Sequence, residues 1–150
     1  MRLLSMSLLL ALLAACPPPA EEEEVFSEEP LGGEVGGEPW TFVAGDTNAF
    51  LSDDESLFST FSQAAFAACV DPVEGPQLIS ALPLEVGVHK LKLSGPNVTF
   101  SPESGENIVA ISGAIRIDEV TDTTISGAIN AKADGNNEAD GVFELTICAE

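Results

Sequence analysis

The pentapeptide Ile-Ser-Gly-Ala-Ile occurs twice, at residues 111–115 and 125–129, each time inside a run where apolar and polar residues alternate. A period of two sends successive side chains to opposite faces, which is the pattern of a half-buried β-strand. In the first run Val109, Ile111, Ile115 and Ile117 alternate with Ala110, Ser112, Ala114, Arg116 and Asp118. In the second, Ile125, Ile129, Ala131 and Ala133 alternate with Thr124, Ser126, Asn130 and Lys132. Gly113 and Gly127 fall on the inward parity, where a missing side chain permits a sharp bend or close packing. With residues 118–122 as the connection, the two runs predict a hairpin. Two copies are too few for a solenoid.

The rest of the chain extends this pattern. Glycine pairs at 32–33 and 36–37 precede Trp40-Thr41-Phe42-Val43-Ala44, a predicted strand with Trp40 as a core anchor. Further short strand-like runs cover residues 77–82, 86–93, 97–101 and 141–148. Between Ser52 and Cys69 the period changes. Ser52-Asp53-Asp54-Glu55 matches a helix capping box, and Leu57, Phe58, Phe61, Ala65 and Ala68 draw one helical stripe that Asp71-Pro72 ends. The expectation is a mainly β domain over residues 32–150: an antiparallel β-sandwich or small barrel of about seven strands with one helix.

The N-terminus carries a different message. Met1-Arg2 is followed by an apolar run to Ala15, then Cys16 and Pro17-Pro18-Pro19. Thirteen residues from Leu3 to Ala15 fall short of the roughly 18 to 20 that a spanning helix needs, and proline stops any helix there. The order of basic, apolar and small-residue regions is that of an export signal over residues 1–15. Leu13-Ala14-Ala15-Cys16 resembles the bacterial lipobox, in which the cysteine thiol is acylated and the signal is cut just before it. The resemblance implies that Cys16 carries the lipid and that the partner of this chain is a lipid bilayer, at the outer membrane of a bacterial cell envelope. Residues 16–31, rich in proline and glutamate, read as an extended acidic tether reaching about 45 to 50 Å.

Removal of the signal leaves four basic side chains (Lys90, Lys92, Arg116, Lys132) against 25 acidic ones, a formal charge of −21. Nucleic acid requires a basic footprint, so it is excluded as a partner. With Cys16 assigned to lipid, Cys69 and Cys148 remain, in a compartment that permits disulfides. Only one intramolecular pairing is then open, and it is expected to form. Cys148 sits off the face shared by Phe143, Leu145 and Ile147, so the bond is expected at a sheet edge.

Chemistry is sparse. His89, the single histidine, lacks the His or Cys partners that a zinc or nucleophile site needs, and reads as structural. Residues 134–141 (Asp-Gly-Asn-Asn-Glu-Ala-Asp-Gly) offer oxygen ligands but fail the EF-hand pattern, with Ala139 at the sixth position and Leu145 at the twelfth. They read as a hairpin turn. Asn97-Val98-Thr99 is a chance glycosylation sequon in a bacterial chain. No cofactor, metal or catalytic residue is assigned. The expected role is non-enzymatic binding or structural support, with a small-ligand-carrying β-barrel and a carboxylate-based hydrolase as alternatives.

The spacing Gly32-Gly33-x-Val35-Gly36-Gly37-x-x-Trp40-x-Phe42, the Ile-x-Gly strands and the terminal Gly141-Val142-Phe143-x-x-x-x-Cys148 resemble small β-rich lipoproteins of myxobacterial and predatory Gram-negative groups. That resemblance implies a compact β domain and carries over no functional residues.

Overall fold

The computed structural model describes residues 24–70, 74–103, 105–110 and 112–149, so the expected signal, Cys16 and the start of the expected tether lie outside the described residues. The protein is mainly β. Among the described residues eleven strands make one sheet: β1 (Gly32–Val35), β2 (Glu38–Thr41), β3 (Ala44–Thr47), β4 (Ser56–Ser62), β5 (Gln77–Pro83), β6 (Gly87–Lys90), β7 (Val98–Ser101), β8 (Ile108–Ala110), β9 (Ser112–Val120), β10 (Thr124–Asp134) and β11 (Asn137–Thr146). Their spatial order is β6-β9-β10-β11-β3-β4-β5-β7-β8, with β1 also on β11 and β2 on β1. β8, at the far end of that path, returns against β10, so the sheet curls into a half-barrel rather than a seven-stranded sandwich. Neighbouring strands are antiparallel except β11 and β3, which meet parallel at Thr146 and Asp46. That exception corrects the purely antiparallel expectation.

The predicted helix over residues 52–69 is absent. Leu57, Phe58 and Phe61 lie in β4, in register with β3 through Phe61 and Gly45 and with β5 through Phe61 and Leu78, while Ala65 and Ala68 fall in the irregular chain after it. Leu57, Ser59 and Phe61 occupy one parity of that strand, and Ser59 and Phe61 are fully buried. Phe61 makes edge-on ring contacts with Phe42 at 5.7 Å and Phe143 at 5.2 Å. Burial between two neighbouring strands outweighs the local helical spacing, a tertiary override of a weak propensity. The supposed capping box serves a turn instead. Asp53 Oδ1 accepts from the backbone of Glu55 (2.9 Å) and Ser56 (2.7 Å), and Ser52 Oγ accepts from Phe58 N at 3.0 Å. Side chains that bond nearby backbone groups suit caps and turns equally, so this chemistry did not single out a helix.

The doubled pentapeptide does lead to paired strands, β9 and β10, and Ile115, Ile117, Ile125, Ile129 and Ala131 are buried as their parity requires. β9 runs on to Val120, into the expected connection, and the register steps between Ser126 and Gly127, leaving Asp118 as a bulge. Gly127 sits there because a Cβ would meet the backbone of Arg116 and Ile117. Trp40 is buried in the core, and its indole Nε1 donates to Pro76 O at 3.1 Å.

Just ahead of β1 the chain is already bonded to the sheet. Val142 N donates to Glu29 O and Leu31 N to Val142 O, both at 2.9 Å, and Leu31 is wholly buried. Upstream, the segment crosses the outer face of β9–β11. Ser27 N bonds Asp140 Oδ1 (3.0 Å), and Asn130 Nδ2 donates to Val25 O (2.8 Å). The Arg116 guanidinium lies 5.3 Å from the Phe26 ring centroid and pairs with Glu28 at 3.2 Å and Asp118 at 2.8 Å. Residues 24–31 are therefore a strap on the domain. Ala128, of outward parity in the row Arg116–Ala128–Val142, is fully buried where that strap passes.

Candidate functional site

The parallel meeting of β11 and β3 forms a seam, and the cysteine pair closes it. Cys148 follows the end of β11, and Cys69 follows the irregular chain beyond β4. They are bonded, with Cα atoms 5.5 Å apart. Leaving the strand at Thr146 frees Cys148 from the alternating parity, which is how it reaches its partner at the junction of two strands. Cys148 N donates to Thr47 Oγ1 at 3.0 Å, and Cys69 N donates to Asp46 Oδ2 at 2.6 Å. The sulfur of Cys148 lies 3.7 Å from the same carboxylate oxygen. A disulfide sulfur has no hydrogen to give, so this is a contact and not a hydrogen bond. Cys69 also holds φ at +64°, the one described non-glycine residue in the left-handed region, a conformation that costs about 1 kcal/mol or more.

An open cleft of about 510 Å³ lies over the seam, lined by Asp46, Thr60, Gln77 and both cysteines, with Phe50 and Val70 among its apolar walls. Phe50 is 90% exposed and Val70 79%. Phe50 is not loosely held. It sits in a 3-10 turn, Ala49–Leu51, capped by Asn48, whose Oδ1 accepts from Phe50 N at 3.0 Å and Leu51 N at 3.2 Å. The cap thus holds the backbone from which this exposed aromatic projects, at the rim of a cleft braced by a disulfide.

Asp46, Cys69 and Cys148 place one oxygen and two sulfurs within 4.8 Å of one another. Neither sulfur is a thiolate while bonded to the other, so the trio is not a ligand set in the oxidised protein. Of the acidic loop expected as a turn over residues 134–141, only Gly135 and Asn136 form one, and residues 137–141 belong to β11. Asp134 Oδ1 accepts from Asn136 N (2.8 Å) and Asn137 Nδ2 (3.0 Å), and these bonds hold its carboxyl below the usual aspartate range. Asn137, buried, passes the link on by accepting from Gly36 N at 2.8 Å, while Glu138 pairs with Lys132. His89 Nε2 is 2.7 Å from Glu85 O and must carry the hydrogen there. No protein-family model, curated protein or solved structure matches this chain.

Asp46, Phe50 and Val70 were not singled out by sequence reasoning. Asn48 ahead of Ala-Phe-Leu is a capping signal, but nothing local says that the phenylalanine stays exposed. The juxtaposition depends on residues 46, 69 and 148, far apart in the chain, meeting at a strand seam.

Proposed function

We propose that the chain is a lipid-anchored protein of the bacterial cell envelope whose β domain has a non-enzymatic binding role, with the seam cleft as its contact surface. The observation that carries this is the sequence Leu13-Ala14-Ala15-Cys16 placed nine residues ahead of Val25, where the strap is fastened to the sheet. An anchor so close to a fastened segment ties a rigid domain to a surface. The small β-rich lipoproteins it resembles fit the same reading. A carrier barrel needs an interior left open, whereas Phe61, Phe100, Leu78 and Leu82 are wholly buried inside the curl. A carboxylate hydrolase needs two acids facing one bond. The cleft supplies Asp46, whose Oδ2 is engaged by Cys69 N.

The test is expression of the full chain in a Gram-negative host with a radiolabelled fatty acid. The wild type should take up label and partition into a detergent phase, and Cys16→Ser should do neither. A mature chain that remains unlabelled and stays aqueous would overturn the anchor.

A further inference from the structure

We propose that the edge strand β6, with the residues on either side of it, is the face of the domain that contacts the bilayer. This rests on the lipid-anchored reading and adds an orientation to it. β6 ends the sheet path, so one of its edges has no strand beside it among the described residues. Val86, Val88, Lys90 and Lys92 share one parity and are all exposed, Val86 at 61% and Val88 at 54%. Val88 is the cross-strand partner of Arg116, whose side chain lies under the strap, so this is the outer face.

Two further observations point to lipid as the occupant. First, Arg116 and Lys132 have acidic partners, whereas Lys90 and Lys92 form no ion pair among the described residues. In a mature chain of formal charge −21, the two unneutralised cations therefore stand together beside exposed valines. Aliphatic side chains with flanking lysines suit the boundary between acyl chains and headgroup phosphates. Second, the anchor arrives there. Val25, 77% exposed, is fastened to Asn130, which pairs with Ala114, which pairs with Lys90. Two strand spacings, about 10 Å, separate the entry of the tether from Lys90. From Cys16 to Val25 the chain can extend at most about 30 Å. Of the acids on this face, Glu28 and Asp118 are engaged by Arg116 and Glu138 by Lys132, Asp140 accepts from Ser27 N, and the exposed Glu144 lies on β11, three strands away from β6.

The acylated full-length protein is reconstituted into vesicles of brominated phosphatidylcholine with a minor share of phosphatidylglycerol. Val88→Trp is compared with Phe50→Trp, against the common background of the buried Trp40. Failure of detergent partitioning beforehand sinks the anchor alone and is seen separately. With the anchor present, Val88→Trp emission should be quenched relative to unbrominated vesicles and Phe50→Trp emission should not. Adding Lys90→Gln and Lys92→Gln should lower the equilibrium constant for surface contact roughly 30-fold, read as a fall in the quenching of Val88→Trp. Unquenched Val88→Trp, which is also what lysines paired to the glutamates of the tether would give, overturns the proposal. So does stronger quenching at Phe50→Trp. Hydrogen exchange of the unsubstituted protein supplies a check free of variants: residues 86–92 should gain protection on vesicles, and unchanged exchange there counts against the contact.

Discussion

Replacing Cys69 and Cys148 together by serine removes a cross-link between residues 79 apart in sequence. For a closed loop of about 80 residues, the chain-entropy relation yields about 15 cal/mol/K, or about 4.5 kcal/mol at 25 °C. The bond also coincides with a left-handed Cys69, and relaxation of that residue in the open form returns about 1 kcal/mol. Cys69 is exposed and Cys148 only half-buried, so little packing is lost with the sulfurs. The net expectation is a loss of about 3 to 3.5 kcal/mol. With a urea m-value of roughly 1.5 kcal/mol/M, the unfolding midpoint should fall by about 2 M. The m-value itself should rise, because the unlinked unfolded chain exposes more surface. The assay is urea unfolding followed by the fluorescence of the buried Trp40, alongside thiol labelling of the folded, unreduced wild type. A loss below about 1 kcal/mol with both cysteines protected from label would refute the loop-entropy reasoning. Labelling of both cysteines would refute the bond.

Gly127→Ala places a Cβ against backbone atoms of Arg116 and Ile117 on the neighbouring strand, which cannot swing aside, so stability should fall by at least about 2 kcal/mol in the same unfolding assay. Arg116→Ala removes the ion pairs to Glu28 and Asp118 and a cation–π contact, worth about 1 kcal/mol together once screened. The amides of Ser27 and Glu29 should then exchange faster while those of β10 and β11 keep their protection. Asp53 and Asp134 are held below the usual 3.8, chiefly by the backbone N–H of Glu55 and of Asn136 respectively. Their contribution is complete above the unfolded value and disappears as pH falls through the lower folded values. Acid unfolding curves of Asp53→Asn/Asp134→Asn should accordingly lose part of the wild-type fall in midpoint below pH 3.8, and superimposable curves would count against it.

Part of this molecule was determined by local sequence. The strands β9 and β10, their inward isoleucines and the Asp134–Asn137 turn follow from alternation and turn chemistry, which depend on neighbours a few residues away. So does the burial of Trp40 behind its glycine pairs. The single cysteine pairing followed from counting once Cys16 was set aside. What failed or stayed hidden depends on partners distant in the chain. Leu57, Phe58 and Phe61 satisfy a helix and a strand alike, and only pairing to β3 and β5 on both sides selects the strand. That Phe26 lies against Arg116 and that the carbonyl of Val25 accepts from Asn130 is equally beyond any local window. The half-barrel, the parallel seam and the cleft at Asp46 arise from which strands meet. That is settled by burying apolar faces across the whole curl, a free energy no local window of sequence contains.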